Sequence, residues 1–470
     1  MLRLLSAIFL AISMPCPAES HSVTVDFASP LPDLRALHGI NKGPLAANGL
    51  IEVTDLQKQL RIPFTRLHDC QFPNPAVVDI HAIFPNPDAD PALPDNYDFR
   101  STDEYIAAVR ATGAEVIYRL GESIEHQKVK RHVHPPKDPA RWAAVCAGIV
   151  RHYNEGWAGG FRYGIRYWEI WNEPENRPVM WTGTDAQFLE LYKATARTLR
   201  EQFPAIKIGG PGFGSCGSFD GTSLQPSGLC SAFLDLCRGH SLPLDFFSWH
   251  CYAGDPSEFV ARAKAVRRLL DARGFTKTES HLNEWNYLPG NSWDVVSPRA
   301  APELRQRAVE QMSGTAGAAF IAASLIEFQD APVDVANFFH GETGIFGLMT
   351  EVGAPTRNYY GLKAFAQMLE TPKRLSTTGG VPGKLAVLAG TNTEKTKASV
   401  LIANPGGPES ARLSLTNFPP WFQGSVEVKI VNAEKSLEPV AAKQGKERAL
   451  ELPMRPPCVV LVEWRRDGTR

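Results

Sequence analysis

The sequence lacks a strong charge of either sign. Its 470 residues carry 49 Lys and Arg against 50 Asp and Glu, a formal net charge of −1. This balance removes the usual electrostatic reason to expect a nucleic-acid partner or an anionic membrane surface. Uninterrupted apolar runs of the roughly 20 residues needed to cross a bilayer are also missing. We therefore expect neither nucleic acid nor a membrane among the partners.

Cysteine spacing and glycine-rich segments give no indication of a metal or a dinucleotide. No two cysteines have zinc-finger spacing, and no Gly-x-Gly-x-x-Gly follows the first predicted strand. Three histidines, His126, His132 and His134, lie in a basic segment without Cys, so a solvated or substrate-lining loop explains them better than a metal site. We predict no metal and no cofactor. Cys216 and Cys230 flank a Gly/Ser-rich segment and are the best candidates for a disulfide in an oxidising compartment.

The amino-terminal residues have the order of features of a secretory signal. Arg3 supplies a positive charge, Leu4–Met14 is an apolar run, and Pro17 and Ala18 provide a small-residue exit. A buried helix is the alternative, and it explains the position and order of these features less well. We predict a signal peptide over residues 1–18 and a secreted or periplasmic protein.

Short β-prone runs alternate with amphipathic stretches over most of the chain. In Thr184–Phe203 the apolar residues recur at helical spacing, and Thr184 can cap the helix. Alternating strands and helices imply parallel βαβ units, and eight of them over about 300 residues fit a (β/α)8 barrel better than an open sheet. We predict an α/β fold with a TIM barrel over residues 19–372. The eight predicted strands are Leu37–Asn41, Phe64–Asp69, Glu115–Leu120, Tyr167–Trp171, Ile206–Gly210, Phe246–His250, Ser280–Glu284 and Ser324–Phe328.

The composition changes after about Pro372. Short apolar or alternating runs, separated by Gly and Pro turn material, follow one another without a helix of useful length. This pattern predicts an all-β, β-sandwich-like accessory domain over residues 373–470. The runs are Lys384–Ala389, Lys397–Ala403, Ala411–Leu415, Val426–Val431 and Val459–Val462.

Two predicted barrel strands end in a glutamate. In a (β/α)8 barrel the catalytic groups project from the carboxyl ends of the strands. Alternation along the fourth strand places Glu173 on one face with Glu169 and Trp171, in aromatic surroundings where a carboxyl group keeps its proton near neutral pH. Glu284 ends the seventh strand. Two carboxyl groups across one pocket, one protonated and one ionised, are the groups required for glycoside hydrolysis, so we predict Glu173 and Glu284 as the catalytic pair.

The segments around these glutamates resemble glycoside hydrolase family 39 of clan A, the β-xylosidase and α-L-iduronidase family. Trp168–Glu175 is similar to the acid/base signature of the clan, and Asn283–Asn286 to the nucleophile strand. Phe247–Tyr252 resembles the sixth strand of the family, and Phe64–Asp69 the second. The resemblance implies hydrolysis of O-glycosyl bonds with retention, by double displacement. It assigns Glu173 as general acid/base and Glu284 as nucleophile.

Further residues are predicted to support the pair or to contact the sugar, although packing or a structural ion pair is an open alternative for each. The resemblance implies that Asn172 donates to the sugar 2-hydroxyl. Arg66 is expected to keep Glu284 ionised, and Tyr252 to orient it. The predicted substrate contacts are His68, His250 and Trp285, and Trp181, Tyr287 and Trp293 are further candidates for stacking on a pyranose face.

The eighth predicted strand differs from the pattern expected of the clan. Ser324–Asp330 contains no Trp where many members place one beneath the sugar, and Glu327 or Gln329 there would change hydroxyl recognition. The expected partner is an oligosaccharide or glycoside, with β-xylosides as the default substrate. Arabinosides, glucosides and uronides stay open, and so does a non-catalytic carbohydrate-binding barrel, which the two intact carboxylates disfavour. The sequence does not determine the oligomeric state.

Overall fold

The computed structural model describes residues 21–44, 51–70, 76–419, 426–441, 443–444 and 449–466. The predicted signal segment, residues 1–18, lies outside these described residues. Within them, every helix is too short or too polar to span a bilayer.

Strand β1 (His21–Pro30) begins the described chain and leads into a closed barrel of parallel strands. The (β/α)8 prediction is therefore confirmed. The barrel strands are β2 (Gly39–Asn41), β3 (Phe64–Leu67), β4 (Glu115–Leu120), β5 (Tyr167–Ile170), β6 (Lys207–Phe213), β9 (Phe246–Ala253), β10 (Glu279–Tyr287) and β11 (Val335–Phe338). A small hairpin, β7 (Gly217–Phe219) and β8 (Leu224–Pro226), is inserted after β6.

Helices follow the barrel strands. As the sequence predicts, Thr184 caps one of them, accepting a hydrogen bond from the Gln187 backbone in a capping box. The helices are α1 (Thr54–Leu60), α2 (Ile80–Ile83), α3 (Arg100–Ala111), α4 (Pro139–Asn154), α5 (Asp185–Gln202), α6 (Gly228–Gly239), α7 (Pro256–Ala272), α8 (Pro302–Ser313), α9 (Thr315–Glu327) and α10 (Arg357–Gln367). Single 3-10 turns lie at Pro94–Asn96, Trp157–Gly159, Pro289–Asn291, Trp293–Val296, Phe328–Asp330 and Met368–Glu370.

The eighth barrel strand is not the one that the sequence predicts. Ser324–Phe328 lies at the end of α9, and the strand that closes the barrel is β11. The helix is buried on all sides, so its apolar run has no helical periodicity and is indistinguishable from a buried strand. Glu327 accepts a hydrogen bond from the Gly383 backbone, and Gln329 bonds to the backbone of Arg35, so neither contacts the catalytic cleft.

The accessory domain is a sheet of ten strands in the order β17-β16-β20-β14-β13-β12-β1-β15-β19-β18. Its carboxyl-terminal members are β12 (Lys373–Thr378), β13 (Ala386–Thr391), β14 (Lys397–Asn404), β15 (Ser410–Thr416), β16 (Val426–Val431), β17 (Ser436–Val440), β18 (Lys443–Gln444), β19 (Leu450–Pro453) and β20 (Cys458–Arg465). Val23, Leu413 and Leu452 share one core with Val400 and Val460 from the other half of the sheet, so the sheet curls over on itself.

The amino-terminal strand belongs to this sheet and not to the barrel unit. β1 pairs antiparallel with β12 and parallel with β15. The predicted boundary at residue 19 is thus corrected, because the accessory domain takes strands from both ends of the described chain. Sequence order gave no sign of this, since β1 and its partner strands are separated by the whole barrel.

The sheet packs directly on the barrel. Leu388, Leu401 and Leu461 belong to the same buried cluster as the barrel core, and α9 lies against β13, β14 and β20. Strand β14 is buried along its whole length because one face meets the barrel helices and the other meets the core of the sheet. The two domains therefore share a continuous apolar interface.

Candidate active site

The candidate catalytic groups line a cavity of about 610 Å³ at the carboxyl ends of the barrel strands. It is lined by His68, Asn172, Glu173, His250, Tyr252 and Glu284, among others. A larger cavity of about 770 Å³ lies between the barrel and the accessory sheet, and none of these residues reaches it. The chemistry of the lining, rather than the volume, identifies the smaller cavity as the candidate active site.

The segment after β5 turns Asn172 and Glu173 into this cavity. The predicted alternation ends at Ile170, because Trp171 and Glu173 take left-handed backbone conformations with φ of 70° and 44°. Trp171 therefore packs in the core against Trp181, and does not share a face with Glu173. The Glu173 backbone N–H donates to the carbonyl of Gly212 at 3.0 Å, which ties the turn to β6.

Glu284 is directed into the cavity by an irregularity in β10. Leu282 pairs with Trp249 and Glu284 with His250, so Asn283 is an extra residue opposite β9. Such a bulge breaks alternation and turns a side chain toward the barrel axis. Asn283 donates to Glu169 inside the barrel, and its neighbour Glu284 also points inward.

Arg66 on β3 connects the groups of the site. Its fully buried guanidinium donates to Glu169 Oε2 at 2.6 Å, Glu284 Oε1 at 2.8 Å, Asn172 Oδ1 at 2.6 Å and Asn41 Oδ1 at 3.0 Å. The two carboxylates compensate the buried positive charge. Charge-assisted hydrogen bonds of this kind are stronger than neutral ones and fix the orientation of their partners.

Glu173 and Glu284 face each other with His250 between them. One oxygen of each carboxyl group and one ring nitrogen of His250 all lie within 4.8 Å of one another. His250 Nδ1 is 2.7 Å from Glu173 Oε1 and 3.5 Å from Glu284 Oε2. Tyr252 donates to Glu284 Oε2 at 3.0 Å, and Asn176 donates to Glu173 Oε2 at 2.9 Å.

Opposing influences set the pKa values of these groups. Burial raises the pKa of Glu173, but hydrogen bonds from His250 and Asn176 outweigh burial and leave the pKa below its ordinary value. Burial also raises the pKa of Glu284, and the charges of His250 and Arg66 only partly oppose it. Burial lowers the pKa of His250, whereas Glu284 and Glu173 together raise it above its ordinary value. Hydrogen bonds from polar side chains thus determine the pKa of Glu173. The sequence had led us to expect aromatic neighbours that raise this pKa.

His68 lies beside the pair. Its Nε2 atom is 3.8 Å from Glu284 Oε1 and 3.3 Å from Asp69 Oδ1. Burial and the nearby charge of Arg66 lower the pKa of His68 well below its ordinary value, so the ring is neutral. A neutral imidazole that lines the cavity can donate to or accept from a sugar hydroxyl.

Trp285 does not contact the cavity. Because the bulge changes the alternation of β10, its ring points out of the barrel and is fully buried against Phe259, Phe328 and Phe338. The prediction of a substrate contact for Trp285 is therefore corrected. Of the other aromatic candidates, Trp293 lines the cavity beside Tyr252, whereas Trp181 and Tyr287 pack elsewhere.

Comparisons with known proteins identify the family of the chain. The family model described as "Glycosyl hydrolases family 39" matches residues 96–368. The chain belongs to glycosyl hydrolases family 39.

Relatives of this family 39 enzyme include two β-xylosidases. The one from Geobacillus stearothermophilus is 28% identical over 246 residues, 47% of this chain and 45% of the relative. The one from Caldicellulosiruptor saccharolyticus is 26% identical over 263 residues, 49% of this chain and 46% of the relative. The chain thus matches less than half the length of these curated relatives. A crystal structure of a glucosidase from Croceicoccus marinus is 25% identical with a TM-score of 0.79, covering 96% of this chain and 100% of that one.

Two groups of side chains in the described part of the family 39 chain have the spacing of metal ligands. One is Glu173, His250 and Glu284, and the other is Asp79, His81 and Glu122. Both groups have a guanidinium in direct contact, since Arg66 donates to Glu284 and Arg119 donates to Asp79 at 2.5 Å. A neighbouring positive charge opposes cation binding. His126, His132 and His134 do not form a cluster of this kind among the described residues.

The expected disulfide is not formed in the structure. Cys216 and Cys230 are both free, buried thiols, and their side chains are in hydrogen-bond contact. They lie near each other because Ser227, which caps α6, donates its backbone N–H to the Cys216 carbonyl and accepts from the Cys230 backbone. The two cysteines are therefore close together, as a disulfide would require, but the covalent bond is not present.

Sequence reasoning missed two glutamates of the same signature. Glu169 is fully buried and pairs with Arg66 inside the barrel, where it compensates the charge of that residue. Glu175 lines the cavity two residues after Glu173. A signal for Glu169 was present, because a charged residue in the middle of a four-residue buried strand requires a buried partner.

Glycine at positions 212 and 214 leaves room for the catalytic groups. A Cβ atom on Gly212 would lie 3.0 Å from Asn172 Oδ1 and 3.2 Å from Arg66 Nη2, and the residue has a φ of +62°. A Cβ atom on Gly214 would lie 2.6 Å from Glu173 Oε1. The chain at Gly212 and Gly214 therefore lies so close to the site that a side chain at either position would displace the catalytic groups.

Proposed function

We propose that this enzyme hydrolyses β-xylosides with retention of the anomeric configuration, through a covalent intermediate on Glu284. The observation that carries the proposal is the distance between the carboxyl groups, with one oxygen of each within 4.8 Å of the other. Retaining glycosidases have carboxyl groups about 5–5.5 Å apart, and inverting ones about 6.5–9.5 Å apart to admit a water molecule. A closest approach of 4.8 Å or less favours the retaining spacing over the inverting one.

In the first step, the Glu284 carboxylate attacks the anomeric carbon while the bond to the leaving oxygen breaks. Glu173 transfers its proton to that oxygen, so the leaving group departs as a neutral alcohol. Arg66 holds one oxygen of Glu284 and Tyr252 holds the other, which fixes the nucleophile before substrate binds. Fixed orientation of this kind contributes to the rate because less freedom is lost at the transition state.

In the second step, Glu173 removes a proton from water, and the resulting oxygen displaces Glu284 from the anomeric carbon. Esterification has by then removed the negative charge of Glu284. Because that charge and Glu173 raise each other's pKa, its loss lowers the pKa of Glu173 and favours its role as base.

His250 keeps a proton available for the first step. Its Nδ1 atom is one hydrogen bond away from Glu173 Oε1, and the carboxylates on both sides raise the pKa of the imidazole. The two carboxyl groups and His250 therefore titrate as one unit. Glu173 takes up the shared proton when it acts as acid.

The substrate assignment follows the relatives. Two of them are β-xylosidases, which makes β-xylosides the first candidate. A β-glucoside is the second candidate, because the glucosidase from Croceicoccus marinus matches nearly the whole of both chains.

The charge of the cavity disfavours a uronide. Asp69, Glu173, Glu175 and Glu284 line it, and its described lining contains one guanidinium, that of Arg262. Arg262 is already paired with Glu258 at 2.8 Å. A sugar carboxylate would thus meet four carboxyl groups, while the one guanidinium of the described lining is already paired.

We also propose that the enzyme acts after export, as the apolar amino-terminal run Leu4–Met14 suggests. Recovery of the active enzyme in the periplasm or medium, with an amino terminus near residue 19, would support this. Retention of the uncleaved chain in the cytoplasm would contradict it.

The catalytic pair is tested with Glu173→Gln and Glu284→Gln on a panel of nitrophenyl glycosides. Glu284→Gln should lose about 10⁴-fold or more in kcat because it removes the nucleophile. Glu173→Gln should lose less on nitrophenyl substrates, whose leaving group needs little protonation. Glu190→Gln, an exposed change on α5, is the matched control.

Two outcomes would contradict the assignment. One is that neither variant loses activity on a substrate that the wild-type enzyme cleaves. The other concerns Glu284→Gly with azide, which should yield a glycosyl azide of inverted configuration. A glycosyl azide of retained configuration would show that another residue is the nucleophile.

A further inference from the structure

Glu175 has an unsatisfied oxygen at the edge of the catalytic cavity. Its side chain lines the cavity, and its Oε1 atom accepts a hydrogen bond from the Ser215 backbone N–H at 2.7 Å. Its Oε2 atom is buried and has no hydrogen-bond partner among the described residues. A buried carboxyl oxygen without a partner is costly, and such atoms in a native structure commonly mark a ligand contact.

The position of Glu175 places it on the leaving-group side of the cleaved bond. Glu284, which attacks the sugar in the proposed mechanism, is held by Arg66 and Tyr252. Among the described residues Glu175 has no hydrogen bond or ion pair to these three, and it lies two positions after Glu173, the proposed proton donor to the departing oxygen. Ser215, which holds Glu175, comes directly after Gly214, whose close approach to Glu173 is described above.

The β7–β8 hairpin supplies an apolar wall next to Glu175. Phe219 on β7 lines the cavity, and the Arg262 guanidinium lies 4.6 Å from the centre of its ring. Arg262 is held in turn by two hydrogen bonds to Glu258 Oε1, at 3.0 and 2.8 Å. The ring therefore has a fixed position, as a surface for the apolar face of a sugar requires.

We propose that Glu175 and Phe219 form the subsite for the leaving-group sugar, in which the Glu175 carboxyl binds a hydroxyl of that sugar and Phe219 packs against its ring. The proposal rests on the proposed function, because the roles of Glu173 and Glu284 define which side of the bond departs. The last side-chain torsion of glutamate is soft, so the proposed contact requires only a rotation of the carboxyl group.

The chemistry of the group suits a hydroxyl. Burial raises the pKa of Glu175 to about 7, and the negative charge of Glu173 adds to this effect. The carboxyl group is therefore present in both protonation states near neutral pH, and can donate to a hydroxyl or accept from it. An aromatic leaving group without hydroxyls makes no such contact, so Glu175 distinguishes disaccharides from aryl glycosides.

The test compares two substrates of the sugar that the wild-type enzyme prefers, the disaccharide and the nitrophenyl glycoside. For Glu175→Ala, kcat/KM on the disaccharide should fall by about 10- to 100-fold more than on the nitrophenyl glycoside, as expected for one lost hydrogen bond to a charged group. Glu175→Gln keeps the shape and an acceptor oxygen, and should recover part of the difference. Phe219→Ala should also lose more kcat/KM on the disaccharide than on the nitrophenyl glycoside. Glu190→Ala, on the exposed face of α5, should lose none on either substrate.

Equal losses on both substrates would overturn the proposal, because they would show that Glu175 only positions Glu173. No loss on the disaccharide would overturn it as well. Failure of the proposed function is distinguishable, since it would appear as unchanged activity in Glu173→Gln and Glu284→Gln whatever the behaviour of the Glu175 variants.

Discussion

At the scale of single residues, Arg66 organises the chemistry of the site. It is fully buried and donates to both Glu284 and Asn172, while Glu169 compensates its charge. A buried charge of this kind is costly unless every donor has a partner. In return, one rigid guanidinium holds Asn41 of β2, Glu169 of β5 and Glu284 of β10 at fixed distances.

His250 provides the clearest prediction at this scale. Its positive form lowers the pKa of both Glu173 and Glu284. His250→Asn keeps a donor near Glu173 but removes the charge, so both pKa values rise. The acidic and basic limbs of the kcat/KM profile report the two successive titrations of the carboxyl pair, and both should move to higher pH by about one unit.

A profile of kcat/KM against pH checks this prediction. His134→Asn is the matched control, because this exposed histidine bonds to Thr182 and does not line the cavity. A profile of the His250 variant that is unchanged or moved to lower pH would contradict the electrostatic role of the imidazole.

Much of the residue-level site could be predicted from the sequence, for a physical reason. Strand ends in a (β/α)8 barrel converge, so Glu173, Glu284 and Arg66 are expected in one place once the strands are recognised. The direction of the Trp285 side chain was predicted wrongly because it depends on the bulge at Asn283, and hydrophobic periodicity does not predict a bulge. Glu175 was missed because nothing in its own segment indicates that the loop after β6 lies against it.

At the scale of elements, irregular strands give the site its shape. Both β10 and β6 depart from regular pairing where they reach the cavity. On β6 the departure includes Gly212, whose carbonyl accepts from the Glu173 backbone and whose Cα faces Asn172 and Arg66. Bulges of this type turn side chains that regular strands would direct elsewhere.

Gly212→Ala tests the role of this element. The added methyl group meets Asn172 Oδ1 and Arg66 Nη2, and should displace them by several tenths of an ångström. We expect kcat/KM to fall about 10- to 100-fold, in line with the effect of small misplacements on catalysis. Steady-state kinetics and the melting temperature should be measured together.

Gly164→Ala is the control for backbone strain. Gly164 has a φ of +64°, close to the +62° of Gly212, but a Cβ atom there would meet nothing within 4 Å. It should lose a similar amount of stability and keep its activity. Equal activities of the two variants would contradict the claim that close packing at Gly212 positions the catalytic groups.

Part of helix α9 was predicted as a strand because hydrophobic periodicity does not identify a fully buried helix. The helix α9 is buried between the barrel and the accessory sheet, so every face of it is apolar. Hydrophobic periodicity reports a contrast between a buried and an exposed face, and here no contrast exists. The true closing strand, β11, is only four residues long and carries no stronger signal.

At the scale of the whole molecule, the barrel and the sheet form one structure. The sheet takes β1 from the amino-terminal side of the barrel and the rest from its carboxyl-terminal side, and buries α9 beneath it. The near-zero net charge of the chain agrees with the neutral sugars proposed as substrates. The pairing of distant chain ends depends on contacts between segments far apart in sequence, so composition alone could not predict it.

In the complete reaction proposed for this site, two displacements on one anomeric carbon restore its configuration. The most direct measurement follows hydrolysis of nitrophenyl β-xyloside, or of the β-glucoside if that is cleaved faster, by proton NMR before mutarotation. The account predicts that the β-anomer of the free sugar appears first and that the α-anomer follows slowly. Initial release of the α-anomer would contradict a covalent intermediate on Glu284 and the two-carboxylate mechanism proposed for this site.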